Sequence, residues 1–98
     1  MINQNEAHDK IEKIISGYPQ PKNDAYVIVE NETIENDWGW VFFYTSKKWL
    51  ETNELCYAVA GNAPFIVLRS SGEVIVTGTA HGTDYYINKF EETGDPHG

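Results

Sequence analysis

Cys56, His81 and Asp84 are the one set of residue types in this 98-residue chain that resembles a nucleophile, a base and an orienting acid. A thiol becomes a useful nucleophile only with a base in reach, and nothing in the spacing forces these three together. Cys56 stands among Leu55, Tyr57 and Ala58, surroundings that suit a buried structural thiol. Metal chemistry has no framework either. His8, His81 and His97 are far apart, and His8 and Asp9, neighbours on an expected helix, point about 100° away from each other. A phosphate-binding Gly-rich lysine loop, a dinucleotide fingerprint and a His-x-Glu with paired cysteines are all missing. The expectation is a protein without catalytic residues, cofactor or metal, with a small hydrolase built on Cys56 as the third reading.

Carboxylates beside aromatics are the stronger signal. Glu30, Glu32, Glu35 and Asp37 run directly into Trp38 and Trp40, and such a rim suits the grip on a basic protein surface, because aromatics anchor while charges steer. The same four acids would also serve as an ordinary solvated edge. Fifteen acidic residues against seven basic ones give a formal charge of −8, which argues against nucleic-acid or anionic-membrane partners, since phosphate contact relies on clustered Lys and Arg. A negative field instead speeds encounter with a basic protein. No apolar run approaches the ~20 residues of a membrane span. Residues 1–6, MINQNE, lack the basic start and apolar centre of a signal peptide, and the single cysteine cannot form an internal disulfide, so the expected location is the cytoplasm.

The elements that would position these residues follow from periodicity. Ala7, Ile11, Ile14, Ile15 and Tyr18 recur as one helical stripe, Asn3 and Glu6 have capping-box spacing, and Gly17, Pro19 and Pro21 mark the stop. A β-type run opens at Tyr26 and is expected to reach about residue 34, with Glu30 and Glu32 on one side of it. After a turn at Asn36-Asp37, residues 38–45 return antiparallel, and alternation places Trp38, Trp40, Phe42 and Tyr44 on one face. Residues 46–60 read mostly as loop, with Ser46 able to cap a short helical turn that carries Trp49 and Leu50.

The most specific stretch is residues 61–80. Gly61-Asn62 is a turn pair, Pro64 removes a donor at the strand entrance, residues 65–68 are apolar, Ser70-Ser71-Gly72 turns the chain, and residues 73–77 alternate until Gly78. Tyr86, Ile87 and Phe90 then define a closing helix that ends near Thr93-Gly94. The order suggests one α+β domain over residues 1–94, with an antiparallel four-stranded sheet of two hairpins, the terminal helices packed on one face, and a mobile tail at 95–98. Both sheet faces are apolar, so the second is expected to lie under the link around residues 49–57 or to serve as a homodimer interface.

The wording G-N-x-P-F-x-V, S-G-E-V and G-T-A, with the Trp-Gly-Trp-Val-Phe-Phe-Tyr strand upstream, resembles the immunity protein 35 family, also called the YrhB-like family. The likeness runs from about Asp37 to Glu92. Trp40, Phe42 and Tyr44 resemble that family's aromatic strand, and Gly61, Asn62, Pro64, Gly72 and Gly78 its hairpin punctuation. The resemblance implies an immunity protein of a bacterial polymorphic toxin system, which binds a cognate toxin and blocks it; a YrhB-like branch implies a holdase-like protective role as the alternative. The matching residues are turn and core types, so they specify a scaffold and leave the contact residues to the acidic run.

Overall fold

The computed structural model describes residues 1–57 and 62–98. Its first helix, α1 (Gln4–Ser16), starts where the Asn3 side chain accepts from the Glu6 N–H at 2.8 Å while the Glu6 carboxylate accepts from the Asn3 N–H at 3.3 Å. This reciprocal cap satisfies two donors that an open helix end leaves bare. Ala7, Ile11 and Ile15 are buried along the inner stripe, and the helix stops at Gly17 before the two prolines.

The expected long strand from Tyr26 to residue 34 is interrupted. β1 (Tyr26–Ile28) gives way to a 3-10 turn (Glu30–Glu32), after which β2 (Ile34–Asn36) resumes. Its return partner breaks in the matching place: β3 (Gly39–Phe42) and β4 (Tyr44–Ser46) are separated at Phe43, whose carbonyl accepts from the Val29 N–H at 2.8 Å. Glu30 and Glu32 therefore do not share one side of a strand. A tight turn lets three consecutive polar residues face water without filling ladder positions.

β3 pairs with β2 and with β5 (Phe65–Leu68), and β5 with β6 (Val74–Val76), so two hairpins lie side by side in a four-stranded antiparallel sheet of order β2-β3-β5-β6. β1 and β4 form a two-stranded extension. The β5–β6 hairpin turns as expected, with Gly72 at a φ of 75° and its N–H donating to the Leu68 carbonyl. Pro64 keeps its carbonyl for both the N–H and the hydroxyl of Thr77. Gly61 of the turn pair lies outside the described residues, as do residues 58–60 of the link, while Asn62 donates its side-chain amide to the Tyr44 carbonyl at 2.5 Å.

Cross-strand register puts Trp40 beside Val67 and Phe42 beside Phe65, and these four join Ala7, Ile11 and Ile15 of α1 with Ile28 and Tyr44 in one core. Burial raises the Tyr44 hydroxyl above its ordinary pKa, with Tyr18 and Tyr26 adding to the effect. On the alternate side, Val41 and Ile66 are 0% exposed. Centrally, the second face is therefore covered at these two positions among the described residues.

α2 (Lys47–Thr52) is the short turn capped by Ser46, whose hydroxyl accepts from the Trp49 N–H at 3.1 Å. Asp24 reinforces that cap: its carboxylate accepts from the Ser46 hydroxyl and from the N–H groups of Ala25 and Lys48. Desolvation raises the Asp24 carboxyl, but these hydrogen bonds, led by the one from Ser46, together with the Lys48 charge hold it below its ordinary pKa.

α3 (Thr83–Thr93) ends at Gly94 in left-handed geometry. The two terminal helices do not share one core: Tyr86 is buried outside the α1 cluster, its hydroxyl accepting from the N–H groups of Ala80 and His81. Phe90 meets Trp38 edge to face, with ring centres 4.8 Å apart. Residues 95–98 make contacts of their own, with Pro96 buried and His97 Nε2 lying 2.9 Å from the Val76 carbonyl oxygen. No helix among the described residues is long and apolar enough to cross a membrane.

Candidate functional site

The run of acids between residues 30 and 37 is divided by the fold into two margins. Glu30 and Glu32 stand on the 3-10 turn, both exposed. His8 reaches this turn from α1, with Nε2 at 2.5 Å from Glu30 Oε1 and Nδ1 at 3.3 Å from Glu12 Oε1, so the imidazole bridges two carboxylates on different elements. The capped helix sets the spacing: His8 and Glu12 are one turn apart on one flank. Asp9 joins them, and one ligand atom from each of His8, Asp9 and Glu12 falls within 4.8 Å of the others. Both His8 nitrogens already face carboxylates, so the grouping acts as a polar hub that pins α1 to the turn.

The second margin is built around Arg69. This residue follows β5, where the register carries its side chain over Trp40, with the guanidinium carbon 4.4 Å from the ring centre. Its Nη2 donates to Glu35 Oε2 and to the Asn36 carbonyl, each at 3.1 Å, and Nε donates to the Asp37 carbonyl at 3.4 Å. One arginine therefore staples the β2–β3 turn to the end of β5 and offsets part of the charge of Glu35. Trp38 is half-buried and donates its indole N–H to Glu91 at 3.2 Å.

Trp40 departs from its expected place on the rim. At 1% exposure it belongs to the core, and its indole N–H is buried without a protein partner among the described residues. Alternation selects this outcome, since Trp40 and Phe42 point the same way and that side is the one α1 covers. Trp38 escapes because the chain turns at Asp37-Trp38, just before the ladder begins at Gly39.

Between α1 and β1 lies a groove of about 470 Å³. Asp9, Glu12 and Glu30 stand along it, while Ile15, Tyr26 and Ile28 contribute its apolar lining. Residue order places Asp9 and Glu12 on one helix, and only the packing of α1 brings the strand beside them. A smaller recess, of about 280 Å³, brings Glu32 next to Phe43, Trp49 and Leu50.

Cys56 and His81 each meet other groups. Cys56 is exposed on a 3-10 turn (Leu55–Tyr57), against the expected burial, and the partner of its thiol is the Glu54 carboxylate at 3.8 Å. His81 instead stacks on Tyr85, with ring centres 4.0 Å apart. Two polar neighbours, Asn53 in left-handed geometry and Glu54, carry the Cys56 turn outward instead of into the core.

Two comparisons with known proteins find a likeness. The family model described as Immunity protein 35 matches residues 5–88. "Uncharacterized protein YrhB" of Escherichia coli (strain K12) is 40% identical over 53 residues, which are 54% of this chain and 56% of that protein. The match thus spans a little over half of that relative's length. No solved structure matches.

Proposed function

Since the chain belongs to the immunity protein 35 family, we propose that it is an immunity-type protein that binds a cognate bacterial toxin in the cytoplasm and occludes the toxin's working surface without turnover. The observation that carries this reading, beside family membership, is the exposure of Glu30, Glu32, Glu35 and Asp37 around a scaffold whose motif residues are spent on turns and core. Carboxylates on two neighbouring margins favour a basic toxin, which they would attract at long range and orient on arrival. Trp38 supplies the aromatic part of that surface and Trp40 holds it from beneath. A holdase-like role would need broad bare apolar surface, and the filled second sheet face at Val41 and Ile66 gives it no support.

The test is to identify any toxin domain encoded beside this gene and to co-express the chain with it. The chain should protect growth and bind the purified toxin domain directly. Glu32→Lys with Asp37→Lys is the informative variant, because Glu35 is engaged with Arg69 and its reversal would disturb the fold. Association at low salt should slow by about tenfold while circular dichroism stays unchanged. A native chain that neither binds nor protects would overturn the reading, and an unchanged on-rate would remove these margins from it.

A further inference from the structure

The geometry points to a more specific contact: the groove between α1 and the outer edge of β1 receives an extended, arginine- or lysine-bearing segment of the partner protein, added as a strand beside β1. For the partner's class this rests on the immunity reading. β1 pairs with β4 alone, so its other edge is open in the described fold. The ladder tells which groups face outward. Lys47 N–H donates to the Ala25 carbonyl and Val29 N–H to the Phe43 carbonyl, so residues 25, 27 and 29 are the ones turned toward β4. Alternation directs the main-chain groups of Tyr26 and Ile28 the other way.

The Tyr26 N–H is held by the Gln20 side-chain oxygen at 2.9 Å, which closes one end of that edge. Ile28 is further along, beside the groove. An open strand edge offers hydrogen bonds that any backbone can use, and selectivity must come from what lines it. Here the lining is amphipathic in a particular way. Ile15, Tyr26 and Ile28 supply an apolar surface, and Asp9, Glu12 and Glu30 supply carboxylates. An arginine or lysine side chain matches that pattern, because its aliphatic stem covers apolar surface while its charged head reaches a carboxylate. Lys13 is the groove's single basic residue, so the charge complementarity favours a cationic strand. Three residues of β1 offer too few main-chain bonds to hold a strand alone, which makes the acidic lining part of the affinity and not only of the selectivity.

The experiment uses the full chain, isotope-labelled, titrated with a blocked peptide of alternating arginine and valine and followed by amide chemical shifts. Saturable shifts are expected at Tyr26, Ile28 and along the Asp9 to Ser16 flank of α1. The same peptide methylated on every backbone nitrogen keeps its charge but loses its strand donors, and should bind at least tenfold more weakly. Asp9→Lys with Glu12→Lys should cost a similar factor, and Asp9→Asn with Glu12→Gln a smaller one in a milder change that leaves the helix intact. Equal affinity for the methylated peptide, shifts confined to the Glu35 and Asp37 margin, or no shifts at all would overturn the proposal. So would concentration-dependent pairing of the chain through β1, which would assign the groove to a second copy. A chain that protects cells from the toxin but fails here keeps the immunity reading and loses the groove; one that binds the peptide but protects from no toxin does the reverse.

Discussion

The hairpin of β5 and β6 and the strand pair spanning residues 26–46 are both antiparallel, yet different kinds of contact hold them. The hairpin is shaped by its own residues: Gly72 takes the left-handed turn, Pro64 and Thr77 close the open end, and the register follows. The strand pair is held from a distance. His8 pins its interruption, Arg69 staples its turn, and Asp24 fixes its far end through Ser46. The region held by distant residues is also the one that carries the exposed acids. Surface for a partner is easier to vary where few local turn rules constrain the chain.

Four substitutions probe that difference, in falling order of effect. Gly39 sits at a φ of 154°, and a Cβ there would fall 1.9 Å from the Val67 carbonyl oxygen, where the two regions meet. Gly39→Ala should cost about 3 kcal/mol or more by urea unfolding, since main chain rather than a flexible side chain must move. A loss below about 1 kcal/mol would mean that the two hairpins are less tightly joined than this contact implies. Gly72→Ala, at the local turn, should cost about 1 to 2 kcal/mol, chiefly through left-handed strain, since the Lys10 side chain 3.2 Å from the added Cβ is flexible.

Ser46→Ala should cost about 1 kcal/mol by removing the α2 cap. It also has a pH signature. Asp24 has a lowered carboxyl in the folded chain, so its stabilisation is present above its ordinary value of 3.8 and is lost as pH falls through the lowered folded value. Without the Ser46 hydroxyl that value should rise toward the ordinary one, and the stability gap between variant and native chain should narrow on acidification below 3.8. A gap that stays constant with pH would separate Asp24 from the cap. The smallest effect belongs to His8→Ala, below about 1 kcal/mol in thermal unfolding, because Glu12 and Glu30 are exposed partners. Its larger consequence should be faster amide exchange across the Glu30–Glu32 turn.

Much of the scaffold could be read directly from residue types. Asn3 with Glu6, Gly17 before its prolines, Ser46 before Trp49 and Gly94 after Thr93 each act on main chain within four residues, so pattern and outcome coincide. Expectations failed where the deciding neighbour was distant. Trp40 left the rim because α1 covers its side of the sheet, and the long first strand broke where the His8 and Phe43 contacts converge. Cys56 is the local exception, since it came to the surface on the turn that Asn53 and Glu54 lead into.

Caps, turns and alternation depend on short-range sterics and hydrogen bonds, and so residue order was enough to establish the helices, the hairpin from Asn62 onward and the family whose wording they share. Which carboxylates stand together was settled by folding. Asp9 and Glu12 are some twenty residues from Glu30, and only the packing of α1 against β1 makes them one groove, while Arg69 separates Glu35 and Asp37 into another margin. Charge acts through space, and its arrangement appears only once distant segments are brought into contact.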